Sequence, residues 1–125
     1  MSLNDYKVAV VTGASSGIGA AVATELNHRG LEVHAIARRE NRLSDLNGCI
    51  THVLDVRDTN ALNRILRDLS VDILINNAGV GRGFGSVADS DPTDIDCTLD
   101  TNVRSVIHAV HAVLPGMISK GVGHI

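Results

Sequence analysis

Apolar and polar positions fall into short blocks along this chain, and the period of the blocks switches repeatedly. Residues 7–11 (Lys-Val-Ala-Val-Val) form an apolar run ending at Thr12-Gly13, the pattern of a strand entering a turn. Over 17–29, Ile18, Ala21, Val22 and Leu26 recur at helical spacing, and Gly30 supplies a C-terminal stop. A second strand is predicted at 31–37, a short helix at 41–46 and a third strand at 49–54. Leu62, Ile65, Leu66 and Leu69 share one face of a helix predicted over 58–69. A fourth strand at 71–75 closes with Asn76-Asn77-Ala78-Gly79, and Gly81, Gly83 and Gly85 make 80–90 a mobile loop. A helical pattern returns over 92–119, with Val103, Val106, Ile107, Val110, Val113, Leu114 and Met117 as its apolar stripe and Pro115 expected to kink it or end it early. Residues 121–125 read as a turn leading into a fifth strand.

Strands alternating with helices imply parallel pairing through right-handed crossovers, an α/β doubly wound sheet. The apolar residues are nearly all Ala, Val, Ile and Leu, which suits strands buried on both faces. A six-stranded sheet of this kind needs roughly 180 residues at about 30 per strand–helix unit. The 125 residues here are therefore expected to be the N-terminal portion of a longer protein, truncated at the start of the fifth strand.

Composition narrows the function classes. Eleven basic residues stand against 14 acidic ones, a formal net charge of −3, so the basic surplus of a nucleic-acid binder is missing. Tyr6 and Phe84 are the only aromatics, leaving little on which bases could stack. No apolar run approaches the 18 or so residues of a membrane span, and residues 1–5 lack the basic start and apolar stretch of a signal peptide. Cys49 and Cys97 are too few for a disulfide framework, so a reduced, cytoplasmic setting is expected.

The chemistry concentrates where strands end. Gly13, Gly17 and Gly19, with Ser15, Ser16 and Ile18, lie between the first strand and the first helix. Glycines there permit a tight turn and let backbone amides approach a phosphate, while the helix start adds free N–H groups and the positive end of its dipole. An ordinary glycine-rich turn would look similar, but the strand–turn–helix context favours a dinucleotide. A mononucleotide P-loop is excluded, because no Gly-Lys-Ser/Thr follows. Asp55 and Val56 follow the third strand; Asp55 is placed either to accept from an adenine amino group or to cap the next helix. Asn77, Ala78 and Gly79 lie where the fourth strand opens toward the crevice. At the end of the second strand, Ala37 stands where NAD-selective sites place a carboxylate, and Arg38 and Arg39 follow. Arginine there suits a 2′-phosphate, so NADP(H) is favoured over NAD(H).

Thr12 to Gly19 resembles the cofactor motif of the short-chain dehydrogenase/reductases, and Asn76-Asn77-Ala78-Gly79 resembles that family's second signature. Asp55-Val56 is similar to its adenine-contacting pair, and the resemblance runs in order from Lys7 to Ile125. It implies a Rossmann-like fold and hydride transfer between a nicotinamide and a small carbonyl or alcohol substrate, with no nucleic acid or membrane as partner and a homo-oligomeric complete protein. It implies that Asn102 is the active-site asparagine supporting a water-linked proton relay to a catalytic lysine. It also implies a serine beyond the fifth strand and a Tyr-x-x-x-Lys, neither of which is in this sequence, whose one tyrosine is Tyr6. The 125 residues are thus expected to be inactive alone. The alternatives are a non-catalytic dinucleotide-binding module that senses redox state, or a fragment that cannot fold by itself.

Other constellations carry less. Asp89, Asp91, Asp94, Asp96 and Asp100 miss the calcium-loop pattern, because position six is Asp94 rather than glycine and Pro92 interrupts it. His108 and His111 lie three apart with no third ligand, so no metal site is expected. Asn102 sits among valines, where a buried amide would need hydrogen-bond partners.

Overall fold

Four parallel strands form the sheet in the computed structural model, which describes residues 2–83 and 85–125. Met1 and Phe84, used above in the leader and base-stacking arguments, lie outside the described residues. The strands are β1 (Val8–Thr12), β2 (Glu32–Ala37), β3 (Ile50–Val53) and β4 (Ile73–Ile75), in the order β3-β2-β1-β4. The helices are α1 (Gly17–His28), α2 (Glu40–Leu43), α3 (Thr59–Asp68), α4 (Pro92–Leu99) and α5 (Ser105–Lys120). β1 pairs with β2 on one side and β4 on the other, Val10 lying opposite both His34 and Leu74. A parallel bridge between Ile73 and His124 sets the last residues beside β4.

Because side chains alternate along a strand, the sheet feeds two cores. Ala9, Val11, Val33, Ala35, Ala37 and Ile73 point to one face and pack with Ala23 of α1 and Leu43 of α2. Val10, Ile36 and Leu74 point to the other and pack with Leu62 and Leu66 of α3 and Ala109, Val113 and Met117 of α5. Helices on both faces are what near-continuous apolar strands require.

Several sequence expectations need correction. Ile18, counted in the apolar face of the first helix, is 76% exposed; the buried positions are Gly19 and Ala23. Asp58, not Asp55, caps α3, accepting from Ala61 N at 3.0 Å. The glycine-rich stretch 80–90 contains a 3-10 turn, Val87–Asp89, closed by the Ser86 side chain. The helix over 92–120 is interrupted by a π segment, Asp100–Arg104, whose wider turn rotates the faces before and after it. The buried line is accordingly Thr101, Ser105, Ala109, Val113 and Met117, one residue in four, while Val103 (48%), Ile107 (62%) and Leu114 from the expected stripe are exposed. Pro115 neither ends nor breaks α5, which continues to Lys120 and stops at Gly121 in the left-handed conformation. Pro115 and His111, whose carbonyl loses its helical donor, are both exposed, so water can take that donor's place.

Candidate functional site

Parallel strands deliver all their C-terminal ends to one edge, and that edge carries the site. A cleft of about 270 Å³ opens there, lined by Gly13, Ser15, Ser16, Ile18, Ala37, Arg38, Arg39, Leu54, Asp55, Val56, Asn77, Ala78, Gly79, Val80 and Thr101. Of the predicted cofactor residues, only Gly17 and Gly19 are not on its wall; they shape the turn behind it.

The turn is built by Thr12 and Asn77. Thr12 Oγ1 accepts from the backbone N–H groups of Asn77 (3.1 Å) and Ala78 (3.0 Å). Asn77 Nδ2 donates back to the carbonyls of Thr12 (3.1 Å) and Gly13 (3.2 Å). This reciprocal latch fixes the exit of β1 against the exit of β4. Gly13 (φ +65°) takes a backbone conformation open to glycine, and a Cβ there would lie 2.8 Å from Ala78 Cα. A Cβ on Gly19 would collide with the Gly13 carbonyl and Asn77 Nδ2. The loop therefore keeps its backbone bare, the cradle a diphosphate needs.

The arginines behave differently from each other. Arg39 donates through Nη2 to Ser15 Oγ (2.9 Å) and Ser16 Oγ (2.9 Å), pinning the end of β2 to the glycine-rich turn. Both hydroxyl protons remain available for an anion. Arg38 is exposed on the cleft and makes no hydrogen bond or ion pair among the described residues. Ala37 beside it is buried and carries no charge.

Asp55, on the cleft wall, is held by Arg57. Asp55 Oδ2 accepts from Arg57 Nη2 at 2.8 Å, and Oδ1 accepts from the Arg57 backbone N–H at 2.9 Å. The Arg57 hydrogen bond holds the Asp55 carboxyl below its ordinary range, with Arg38 adding a smaller attraction, so the carboxylate is ionised near neutral pH. Arg57 Nη1 reaches Cys97 Sγ on α4 at 3.3 Å.

Asn102 lies outside the cleft wall and is exposed, not buried as its apolar neighbours suggested. Its amide nonetheless pairs at both ends: Oδ1 accepts from Val80 N and Nδ2 donates to Val80 O. Thr12, Leu54, Arg57, Val80 and Thr101 were absent from the predicted site. Thr12 and Arg57 offered a signal, being polar and one or two residues from predicted contacts; Val80 and Thr101 offered none.

Similarity to known proteins agrees with this geometry. The sequence profile of the short chain dehydrogenase family matches residues 7–125. The chain belongs to that family. It is 40% identical over 126 residues to an uncharacterized short-chain type dehydrogenase/reductase of Sinorhizobium fredii, covering 98% of this chain and 51% of that protein. It is 34% identical to an NADP-dependent 3-hydroxy acid dehydrogenase of Salmonella typhi, covering 94% and 52% respectively. A metagenomic short-chain oxidoreductase crystallised with NADP superposes with a TM-score of 0.90 at 32% identity, over 95% of this chain and 60% of that one. The chain spans about half the length of the curated relatives it matches. Among the described residues no helix is long and apolar enough to cross a membrane, and no cluster of three or more His, Cys, Asp or Glu could hold a metal ion.

Proposed function

We propose that residues 1–125 are the NADP(H)-binding portion of an oxidoreductase that moves hydride between the nicotinamide and a small carbonyl or alcohol substrate. One observation carries the cofactor reading: the unpaired Arg38 faces the cleft beside uncharged Ala37, while Arg39 is already committed to Ser15 and Ser16. A guanidinium without a hydrogen-bond partner among the described residues, its nearby carboxylate Asp55 already bonded to Arg57, suits a ribose 2′-phosphate. The similar 3-hydroxy acid dehydrogenase is named as NADP-dependent, and the similar metagenomic oxidoreductase was solved with NADP, which supports the choice.

The donor set fits the whole dinucleotide. Backbone amides of 13–19 and the start of α1 would take the diphosphate, with the Ser15 and Ser16 hydroxyls as added donors. Asp55 would accept from the adenine amino group, and Val56 would flank the ring. Asn77, Ala78 and Gly79 would line the path toward the nicotinamide. When bound, the cofactor supplies the hydride chemistry, and the chain supplies orientation and charge. Hydride transfer also needs a proton donor at the substrate oxygen. Asp55, Arg38 and Arg39 are the charged groups on the cleft wall, and none suits that task near neutral pH. The resemblance to the family implies a Tyr-x-x-x-Lys outside these 125 residues as that donor, with Asn102 supporting a water-linked proton relay to the lysine. The free thiols Cys49 and Cys97 fit a reducing, cytoplasmic setting. A homo-oligomer is part of the proposal, with the exposed Leu99, Val103 and Ile107 as the face it would cover.

Calorimetry on the full-length protein tests the reading. Arg38→Ala should cost about 1–3 kcal/mol in NADPH binding and leave NADH binding nearly unchanged. A parent protein that binds NADH more tightly than NADPH would refute it. Loss of nicotinamide absorbance with a carbonyl panel separates an oxidoreductase from a redox-sensing binder, which would bind NADPH and turn nothing over.

A further inference from the structure

Arg57 turns three donors on one neighbour. Its backbone N–H and Nε donate to Asp55 Oδ1 at 2.9 and 3.2 Å, and Nε and Nη2 donate to Oδ2 at 3.1 and 2.8 Å. The guanidinium is anchored from behind by Cys97, whose buried Sγ on α4 accepts from Nη1. Three N–H groups thus make four contacts, two on each oxygen, with the Nε–H shared between them, and the carboxylate they hold lines the cleft.

We propose that Arg57 is a positioning residue for the adenine end of the cleft: its fork fixes the plane of the Asp55 carboxylate, so that the carboxylate meets an adenine amino group in one orientation. The inference rests on the nucleotide reading above. Two physical points carry it further. A carboxylate two residues from a strand end rotates freely about its last torsion unless something holds it, and a planar bidentate fork holds it where a lysine could not. Arg38 is also within electrostatic reach of Asp55. Without Arg57, the unpaired Arg38 is the cation left to neutralise that carboxylate, and it would be drawn from the ribose phosphate. Arg57 thus serves both ends of the adenosine: it orients Asp55 and leaves Arg38 free.

The test is a double-mutant cycle in the full-length protein, reading NADPH dissociation constants by titration, with reduced nicotinamide mononucleotide as the probe that lacks the adenosine. Arg57→Gln should weaken NADPH about tenfold, as expected for charge-assisted hydrogen bonds misdirected rather than deleted, and leave the mononucleotide unchanged. In an Asp55→Ala background, the same Arg57→Gln change should alter NADPH binding by less than about twofold. Arg57→Lys, which keeps the charge without the fork, should stay closer to Arg57→Gln than to the parent. Equal losses from Arg57→Gln with and without Asp55, a weakened mononucleotide, or full-strength binding by Arg57→Lys would each overturn the positioning role alone. An Asp55→Ala protein that binds NADPH as tightly as the parent would overturn the adenine reading and the inference together.

Discussion

Asn102 grips Val80 by both of its backbone groups, accepting from Val80 N at 2.8 Å and donating to Val80 O at 2.7 Å. A primary amide is the natural complement of a peptide unit, offering one acceptor and one donor side by side. The π segment carries the asparagine to this position: Ser105 N bonds five residues back to Asp100 O, which adds one residue to the turn. The contact ties the middle of the helical run to the stretch leaving β4, where Val80 lines the cleft.

Asn102→Ala should therefore lower stability by only about 1–2 kcal/mol, because water can reach the freed groups. Asn102→Asp should be at least as damaging. It keeps the acceptor, but loses the donor and faces an oxygen with an oxygen. Thermal unfolding of the two variants side by side decides this; an Asp variant as stable as the parent would show that the Val80 carbonyl contact contributes nothing.

Gly19→Val is expected to abolish tight NADPH binding while leaving the sheet intact. Even a Cβ at Gly19 collides with the Gly13 carbonyl and Asn77 Nδ2, the pair that closes the latch behind the cleft. The neighbouring Gly17 has nothing within 4 Å of a would-be Cβ, but its φ of +57° disfavours any other residue. A smaller effect is thus expected from Gly17→Ala than from Gly19→Val. Dissociation constants measured with circular dichroism as a fold check distinguish the two mechanisms, and Gly19→Val binding at parent strength would remove the turn from the site.

The contrast between these positions shows what a linear reading can reach. The alternation of Val8–Val11 with the helical spacing of 17–29 is local, and so is the turn between them, so strand, loop and helix were legible with their order. The exits of the other three strands were legible for the same reason, since each carries polar or small residues directly after an apolar run. The Arg39 contacts to Ser15 and Ser16 span 24 and 23 residues and depend on how β2 docks beside β1, which spacing alone does not encode. The stripe on 92–119 held only in part: Val113 and Met117 are buried as expected, while Val103, inside the π turn, and Ile107 face outward and Ala109 takes a core position. Pro115 does not end the helix early, because its cost depends on which face it occupies, and the solvent face tolerates it.

Asp72 ties three distant segments together. Its Oδ2 accepts from the backbone N–H groups of Lys7 (2.8 Å) and Val8 (3.1 Å), and its Oδ1 accepts from Lys120 Nζ at 2.5 Å. One side chain thereby joins the starts of β1 and β4 to the end of α5. Burial pushes its carboxyl up, but the hydrogen bonds from Lys120, Lys7 and Val8 outweigh this and hold it below the ordinary range. Asp72→Ala should cost about 3 kcal/mol, since it orphans two backbone donors and takes the counter-charge from Lys120, which keeps only its neutral acceptors at Ser70 and Val71. Lys120→Met should cost less, because Asp72 keeps both backbone partners. With the folded value depressed, this contribution is present above about pH 4 and lost as pH falls through the folded value. Urea unfolding of both variants checks the order; equal midpoints for Asp72→Ala and the parent would refute the tie.

At the β2–β3 edge, His34 and His52 predict a second, milder pH dependence. His34 is 5% exposed, and its Nε2 lies 2.9 Å from Glu32 Oε1 while its Nδ1 lies 2.9 Å from His52 Nε2. A carboxylate only accepts, so His34 carries its proton on Nε2 and its Nδ1 accepts from His52. The rings stack at 5.2 Å and 17°. Burial, and then the charge of His34, lower the affinity of His52 for a proton relative to an exposed imidazole. The unfolded chain therefore binds more protons than the folded one below about pH 6.5, and stability falls as the solution is acidified from there. His52→Gln keeps a donor toward His34 and cannot titrate, so its urea midpoint should vary less than the parent's between about pH 7.5 and 5.5. Carboxylates change charge little across that window, which isolates the histidines. A His52→Gln protein that loses as much stability on acidification as the parent would place the sensitivity elsewhere.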